Sequence, residues 1–182
     1  MWDYKKEDLQ EEVKIGGDFI NQSGCYSMNI DDIEDKETRN GAKQVVFKLS
    51  TEEGAKVNIF YIYAKINGEM IDFKVRHLNQ LCGLLKITPD KLENMKNKQI
   101  GVFLKAKGTS QDGKFINWDI DGFYDIKTKG TAKELNDKSG IGDTYSKFEE
   151  KYDKESPVET NYSSGNISND VKEDDSSDDF PF

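Results

Sequence analysis

The segment Lys56 to Lys65 constrains the fold of this chain more than any other part of the sequence. It is the stretch richest in β-branched and aromatic residues, which favour extended strands. Its side chains alternate between two faces of a strand, with Val57, Ile59, Tyr61 and Tyr63 on one face and Asn58, Phe60, Ile62 and Ala64 on the other. Both faces are apolar enough to need cover. We therefore expect the core on one side and core, a partner or a ligand on the other.

Alternation of apolar and polar residues predicts four more strands. Two precede the central segment, at Cys25–Ile30 and Gln44–Leu49, and an acidic loop from Asp31 to Asn40 separates them. Two follow it, at Ile100–Lys107 and Phe115–Ile126, with a glycine-containing turn between them. The fold class is therefore predicted to be mainly β.

The period of the apolar residues lengthens between these groups of strands. Four apolar residues at i, i+3, i+4 and i+7 predict an amphipathic helix that begins near Asp72, namely Leu78, Leu81, Cys82 and Leu85. The sequence Thr88-Pro89-Asp90 predicts a second short helix that ends near Met95, because proline suits the first helical position. Beyond Lys127 the pattern predicts only a short helix around Thr144 to Tyr152.

Three strands, a helix and two strands in about a hundred residues follow the element order of the OB-fold, a five-stranded Greek-key barrel. In that barrel the helix lies between strands 3 and 4. We predict four parts: a polar segment at 1–17, an OB-fold domain at 18–126, a flexible linker at 127–173 and an acidic tip at 174–182. The composition, 35% hydrophobic and 34% charged, predicts that the acidic C-terminal tail is disordered.

The formal net charge of −9 argues against a nucleic-acid partner, but its distribution favours one. Residues 41–118 contain 13 Lys and Arg against 7 Asp and Glu, whereas the segments on either side are acidic. A basic middle region supplies the positive surface that a nucleic-acid backbone requires.

The last five residues are Asp178-Asp179-Phe180-Pro181-Phe182. An acidic run that ends in proline and phenylalanine suits capture by a small apolar pocket with a basic rim. This tip resembles the acidic, Pro-Phe-ended tip of the single-stranded DNA-binding (SSB) proteins. The element order and length of the body resemble the SSB proteins that phages encode.

The resemblance implies a protein that coats and protects single-stranded DNA, independently of sequence, in DNA replication, recombination and repair. It implies that residues 178–182 of the tip recruit partners such as a polymerase, helicase, primase or nuclease. Its location would be the cytoplasm, and the host cytoplasm if a phage encodes it. A homo-oligomer is compatible with the sequence.

A single-strand binder needs aromatic side chains on which bases stack and a positive groove for the backbone. The residues predicted to bind single-stranded DNA are Lys48, Lys56, Tyr61, Tyr63, Lys65, Phe103, Lys105, Lys107 and Phe115. Alternation puts Phe103 on the same face as Lys105 and Lys107. Either face of the Lys56–Lys65 strand can be the core face, and a packing role for Phe103 stays open. Trp118 shares an apolar row with Ile116 and Ile120, so we assign it to the core.

The sequence gives little support to catalysis. His77 is the only histidine, and Cys82 lies five positions away, so the two do not share a helix face. Neither a Cys-His nucleophile nor a zinc site is predicted, and we expect no reaction, cofactor or metal. The two cysteines are expected to be free thiols in a reducing compartment. No apolar run approaches the roughly 18 residues of a membrane span.

Two alternatives to the SSB hypothesis remain open. The first is an acidic interaction protein or DNA mimic that inhibits a host DNA-binding enzyme, which the overall charge favours. The second is a recombination mediator or strand-annealing protein, which would form rings or filaments on single strands.

Overall fold

A computed structural model describes residues 19–161, so the predicted segment 1–17 and the predicted tip 174–182 lie outside the described residues. The strands are β1 Gly24–Glu37, β2 Lys43–Ser50, β3 Lys56–Ala64, β4 Gln99–Thr109 and β5 Ile116–Tyr124. The helices are α1 Asp72–Leu85, α2 Ala132–Asp137 and α3 Asp143–Asp153, and a short 3₁₀ helix spans Pro89–Met95. The predicted element order and the mainly β class are confirmed.

The five strands form one sheet in the order β3-β2-β1-β4-β5, and all neighbours are antiparallel. The central strand β1 pairs with β4 through its first half and with β2 through its second half. A register shift between Ile30 and Asp32 lies near the start of the second half. The two end strands, β3 and β5, lie close to each other, so the sheet curves strongly.

One face of the sheet encloses the core. Its side chains come from all five strands and include Met28, Ile30, Val45, Phe47, Leu49, Val57, Ile59, Tyr61, Val102, Leu104 and Ile120. The ring of Phe47 contacts those of Tyr61 and Phe123, with centroids 6.2 and 6.1 Å apart. Leu81 of α1 and Met95 of the 3₁₀ helix complete this core, so α1 packs where the sequence predicted.

Polar side chains join β3, α1 and β5 where the end strands approach. Tyr61 Oη and His77 Nδ1 share a hydrogen bond of 2.7 Å, and Lys74 Nζ lies 4.4 Å from the centre of the Tyr61 ring. Lys74 Nζ is also 3.5 Å from Asp119 Oδ1. Burial lowers the pKa of His77, against the opposing effect of Asp121 and Asp119. Side chains of α1 therefore bridge end strands that are not neighbours in the sheet.

Strand β1 is longer than the sequence predicted. The expected acidic loop from Asp31 to Asn40 is wrong for its first part, because the strand continues to Glu37. Ile33 points into the core, while Asp32 and Glu34 point outward. Ile33 is the one apolar residue between Asp31 and Glu37, and most of its neighbours are acidic. Alternation of apolar and polar residues is therefore not visible in this part of the sequence.

Residues 127–161 differ from the predicted flexible linker. The short helix expected around Thr144 to Tyr152 is confirmed as α3, which packs against β4 and β5. Glu134 of α2 accepts hydrogen bonds from the amides of Thr131 and Thr144, at 2.8 Å each, and so fixes α2 to the start of α3. Burial would raise the pKa of Glu134, but these hydrogen bonds hold it below its usual value.

The chain after α3 returns along the sheet. The Val158 amide donates to the Asn21 carbonyl at 2.7 Å, and the Asn161 amide donates to the Gly113 carbonyl at 3.0 Å. The described chain therefore ends beside the turn between β4 and β5. Within residues 19–161, no helix combines the length and apolar character that a membrane crossing requires.

Candidate nucleic-acid interface

The side of β1, β2 and β3 that faces away from the core forms a continuous surface, here called the outer face. Cross-strand pairing aligns its side chains in four rows, Lys36–Gln44–Ile62, Glu34–Val46–Phe60, Asp32–Lys48–Asn58 and Ser50–Lys56. Phe60 is 57% exposed, although a phenylalanine in a strand is usually packed. Ile62, on the same strand, is also exposed. Phe60 and Ile62 thus give the outer face an exposed apolar centre on β3, whereas Gln44 and Val46 beside them on β2 are buried.

Lysines surround this apolar centre. Lys48 lies on β2 beside the Phe60 row, and Lys56 begins β3. Lys96, which follows the 3₁₀ helix, reaches the same surface by pairing with Asp32. An exposed ring with several cations around it can stack on a base and hold the adjoining phosphates.

Asp32 organises two of these lysines. Its carboxylate lies 2.8 Å from Lys96 Nζ and 3.6 Å from Lys48 Nζ. The hydrogen bond from Lys96 keeps the pKa of Asp32 below its usual value, so the carboxylate stays charged at neutral pH. One negative charge between two positive ones leaves an excess of one positive charge at this point of the outer face.

Acidic residues limit the positive charge of the outer face. Glu34 pairs with Lys36 at 3.4 Å, and Asp31 is exposed and accepts hydrogen bonds from Asn29 and Ser50. The positive charge is therefore concentrated toward β2 and β3, whereas the β1 side is mixed.

The structure brings together two of the predicted lysines, Lys48 and Lys56, on the outer face. Lys65 lies just beyond the end of β3 and pairs with Glu69 at 2.9 Å. Tyr61 is buried in the core, and Tyr63 is partly buried with its hydroxyl donating to Asp35 at 2.8 Å. The tyrosines therefore do not face the groove, and the reverse assignment, with Phe60 and Ile62 outward, is the correct one.

Phe103 does not offer a surface for stacking either. It is 1% exposed and lies between β4 and α3, with its ring stacked on Phe148 at 4.4 Å between centroids. Its strand neighbours are paired, Lys105 with Glu155 and Lys107 with Asp119, the latter at 2.7 Å. The predicted alternation is right, but α3 and the segment after it cover this face.

The two remaining aromatic predictions concern Phe115 and Trp118. Phe115 is exposed, as a binding residue must be, but it lies at the turn between β4 and β5 and not on the outer face. Trp118 is partly buried against the core, as assigned. Sequence reasoning missed Lys96 as a neighbour of the outer face. Lys96 could not be found from local pattern, because only the fold brings it to Asp32.

Among residues 19–161, no group of three or more His, Cys, Asp or Glu side chains is arranged to hold a metal ion. Burial raises the pKa of the Cys25 thiol to about 12 and also raises that of Cys82. Neither thiol is activated as a nucleophile. The sequence matches no protein-family model and no curated protein.

Proposed function

We propose that this protein is an OB-fold single-stranded DNA-binding protein. The strand order supports the OB barrel, because β1 pairs with both β2 and β4 while β3 and β5 lie close together. The position of α1 between β3 and β4 is that of the OB-fold helix. OB-folds bind oligonucleotides on the face of strands 2 and 3, which corresponds to the outer face.

The observation that carries the proposal is the exposure of Phe60 among the lysines of the outer face. Base stacking on an aromatic ring is tolerant of sequence, since every base has a π-face. Lys48 and Lys56 supply charge for the phosphates. Binding is therefore expected to be independent of sequence and sensitive to salt.

The wider role proposed is coating of single strands in replication, recombination and repair, without catalysis. In this proposal residues 178–182 of the acidic tip recruit replication or recombination proteins. The outer face and the tip then have separate tasks, since one holds nucleic acid and the other holds protein.

Titration with a labelled oligo-dT, and with a duplex of equal length, tests the proposal. We expect tight binding of the single strand only, with a log-log salt slope of about −0.7 per neutralised phosphate. Phe60→Ala should weaken binding by about 1–3 kcal/mol, the usual contribution of one stacked base. Phe73→Ala is the matched control, because Phe73 is similarly exposed but lies on α1.

Two outcomes would contradict the proposal. If the wild-type protein binds neither oligonucleotide at low salt, the DNA-binding function is wrong. If it binds the single strand and Phe60→Ala binds equally well, the outer face is not the binding site.

A second candidate function is that of an acidic interaction protein or DNA mimic. The exposed carboxylates Asp31, Glu34, Asp35 and Glu37 along β1 favour it. A mimic would bind neither oligonucleotide and would compete with duplex DNA for a DNA-binding enzyme. The same titration therefore separates the two functions.

A further inference from the structure

The turn between β4 and β5 presents an apolar side chain to solvent. Phe115 is 68% exposed, more than any other large hydrophobic residue in the part of the chain that the structure describes. Lys114 beside it is also exposed. This turn, Ser110 to Phe115, is here called the hairpin tip.

The hairpin tip is held rigidly by hydrogen bonds. Ser110 Oγ donates to Asp112 at 2.6 Å and accepts from the Phe115 amide at 3.1 Å. Asn161 Nδ2 donates to the Asp112 carbonyl at 2.8 Å, so the C-terminal end of the described chain braces the turn. The backbone of the hairpin tip is thus braced before it meets any partner, which reduces the entropy lost on binding.

A second feature, an apolar pocket of about 170 Å³, lies between α1, the 3₁₀ helix and the second half of β1. Its walls include Ile33, Val45, Met70, Leu78, Cys82 and Leu92. A cavity of about 150 Å³ holds a benzene molecule, so this pocket can admit one phenyl ring. Asp35 is the one charged residue among those that line it, and Asp35 is exposed.

The hairpin tip and the pocket lie toward opposite ends of β1. Gly24 at the start of β1 pairs with Leu104, and β4 continues past this pair to Thr109 and the hairpin tip. Ile33 and Asp35 of the pocket lie about ten residues further along β1, which is roughly 30 Å of strand. The geometry therefore favours insertion of Phe115 into the pocket of another copy over its own.

We propose that the pocket receives Phe115 from a second copy of this chain, with Lys114 of that copy beside Asp35. An apolar ring matches an apolar pocket, and a lysine matches the single charge at its edge. Such a contact is heterologous, because it joins two different surfaces, and it repeats head to tail unless the rotation closes a ring.

The contact is small, so free protein should associate weakly, with a dissociation constant on the order of 0.1 mM. It does not depend on the proposed function and needs no nucleic acid. If that function holds, the same contact would align neighbouring copies along one strand.

Sedimentation velocity of the full chain without DNA, over a range that spans this dissociation constant, tests the proposal. We expect the wild-type sedimentation coefficient to rise with concentration. Phe115→Ala removes the ring, and Asn79→Trp fills the pocket from an exposed position on α1. Each variant alone should associate at least about tenfold more weakly. Phe73→Ala, the control, should associate like the wild type.

Mixing the two variants gives the sharpest result. Phe115→Ala keeps an open pocket and Asn79→Trp keeps its ring, so an equimolar mixture should form dimers and nothing larger. A wild-type protein that stays monomeric throughout would overturn the proposal, as would undiminished association of Phe115→Ala. If Asn79→Trp fails to fold, the Phe115→Ala comparison still decides.

Discussion

The two halves of the sheet carry similar rows of outward side chains, but α3 covers only the half formed by β4 and β5. On β4 and β5 the outward aromatics Phe103 and Tyr124 are buried beneath α3. On β3 the outward Phe60 and Ile62 remain exposed. An aromatic residue that alternates away from the core is therefore a stacking candidate only where no further element covers its face.

The charges of the two halves differ in the same way. Lys105 pairs with Glu155, which follows α3, and Lys107 pairs with Asp119, a carboxylate that Lys74 of α1 also contacts. Lys48 and Lys96 share one carboxylate, that of Asp32. The segment after α3 therefore brings a carboxylate to Lys105 on the covered half, whereas the carboxylate beside Lys48 comes from the neighbouring strand β1.

The largest expected effect is the difference in stability between Phe103→Ala and Phe60→Ala. Phe103→Ala should lower the free energy of unfolding by about 3–5 kcal/mol, because it opens a cavity under α3. Phe60→Ala should change it by less than about 1 kcal/mol, since most of its side chain is already in water. Urea unfolding measures both values. A large loss of stability in Phe60→Ala would mean that the outer face is covered in solution and would break the comparison.

A smaller effect is the difference in oligo-dT binding between Lys48→Ala and Lys105→Ala. Lys48→Ala should weaken binding of oligo-dT and reduce the log-log salt slope by about 0.7, the loss of one phosphate contact. Lys105→Ala should leave both affinity and slope unchanged, because Lys105 lies on the covered half. Titration at several salt concentrations gives the two slopes. Equal slopes for the two variants would place the DNA path across both halves.

The smallest effect concerns His77, which lies where the two halves approach. Because burial holds the pKa of His77 below 6.5, the unfolded chain binds the proton first as the pH falls. The stability associated with a neutral His77 is therefore complete above 6.5 and is lost progressively below it. Melting temperatures of the wild type and His77→Asn across this interval should converge as the pH falls. A constant difference would show that His77 does not titrate with folding.

Local pattern was sufficient for α1, for β2, β4 and β5, and for the first part of β1. A period of two is a property of neighbouring residues, so β2, β4 and β5 follow from the sequence. The inner side of β3 does not, because both of its faces are apolar. Tyr61 can face inward because its hydroxyl bonds to His77, 16 residues away, and such a partner is known only from the fold.

The helix that covers Phe103, α3, could have been predicted to pack on the sheet from the spacing of its aromatic residues. Tyr145, Phe148 and Tyr152 stand at i, i+3 and i+7, which is the spacing of one helix face. Polar and acidic neighbours made the whole region resemble a linker. Three aromatic residues at helical spacing in a polar segment are a reason to expect packing onto a sheet.

The division of β1 between two ladders also sets an order of folding. Its pairing with β2 closes a short turn after Glu37, and β3 follows β2 by another short turn. Its pairing with β4 joins Gly24 to Leu104, about 80 residues apart, and closing so long a loop is slow. We expect the β1–β3 meander to form early and β4 to dock in the rate-limiting step. The surface proposed to bind DNA would then be assembled before β4 and β5 complete the sheet.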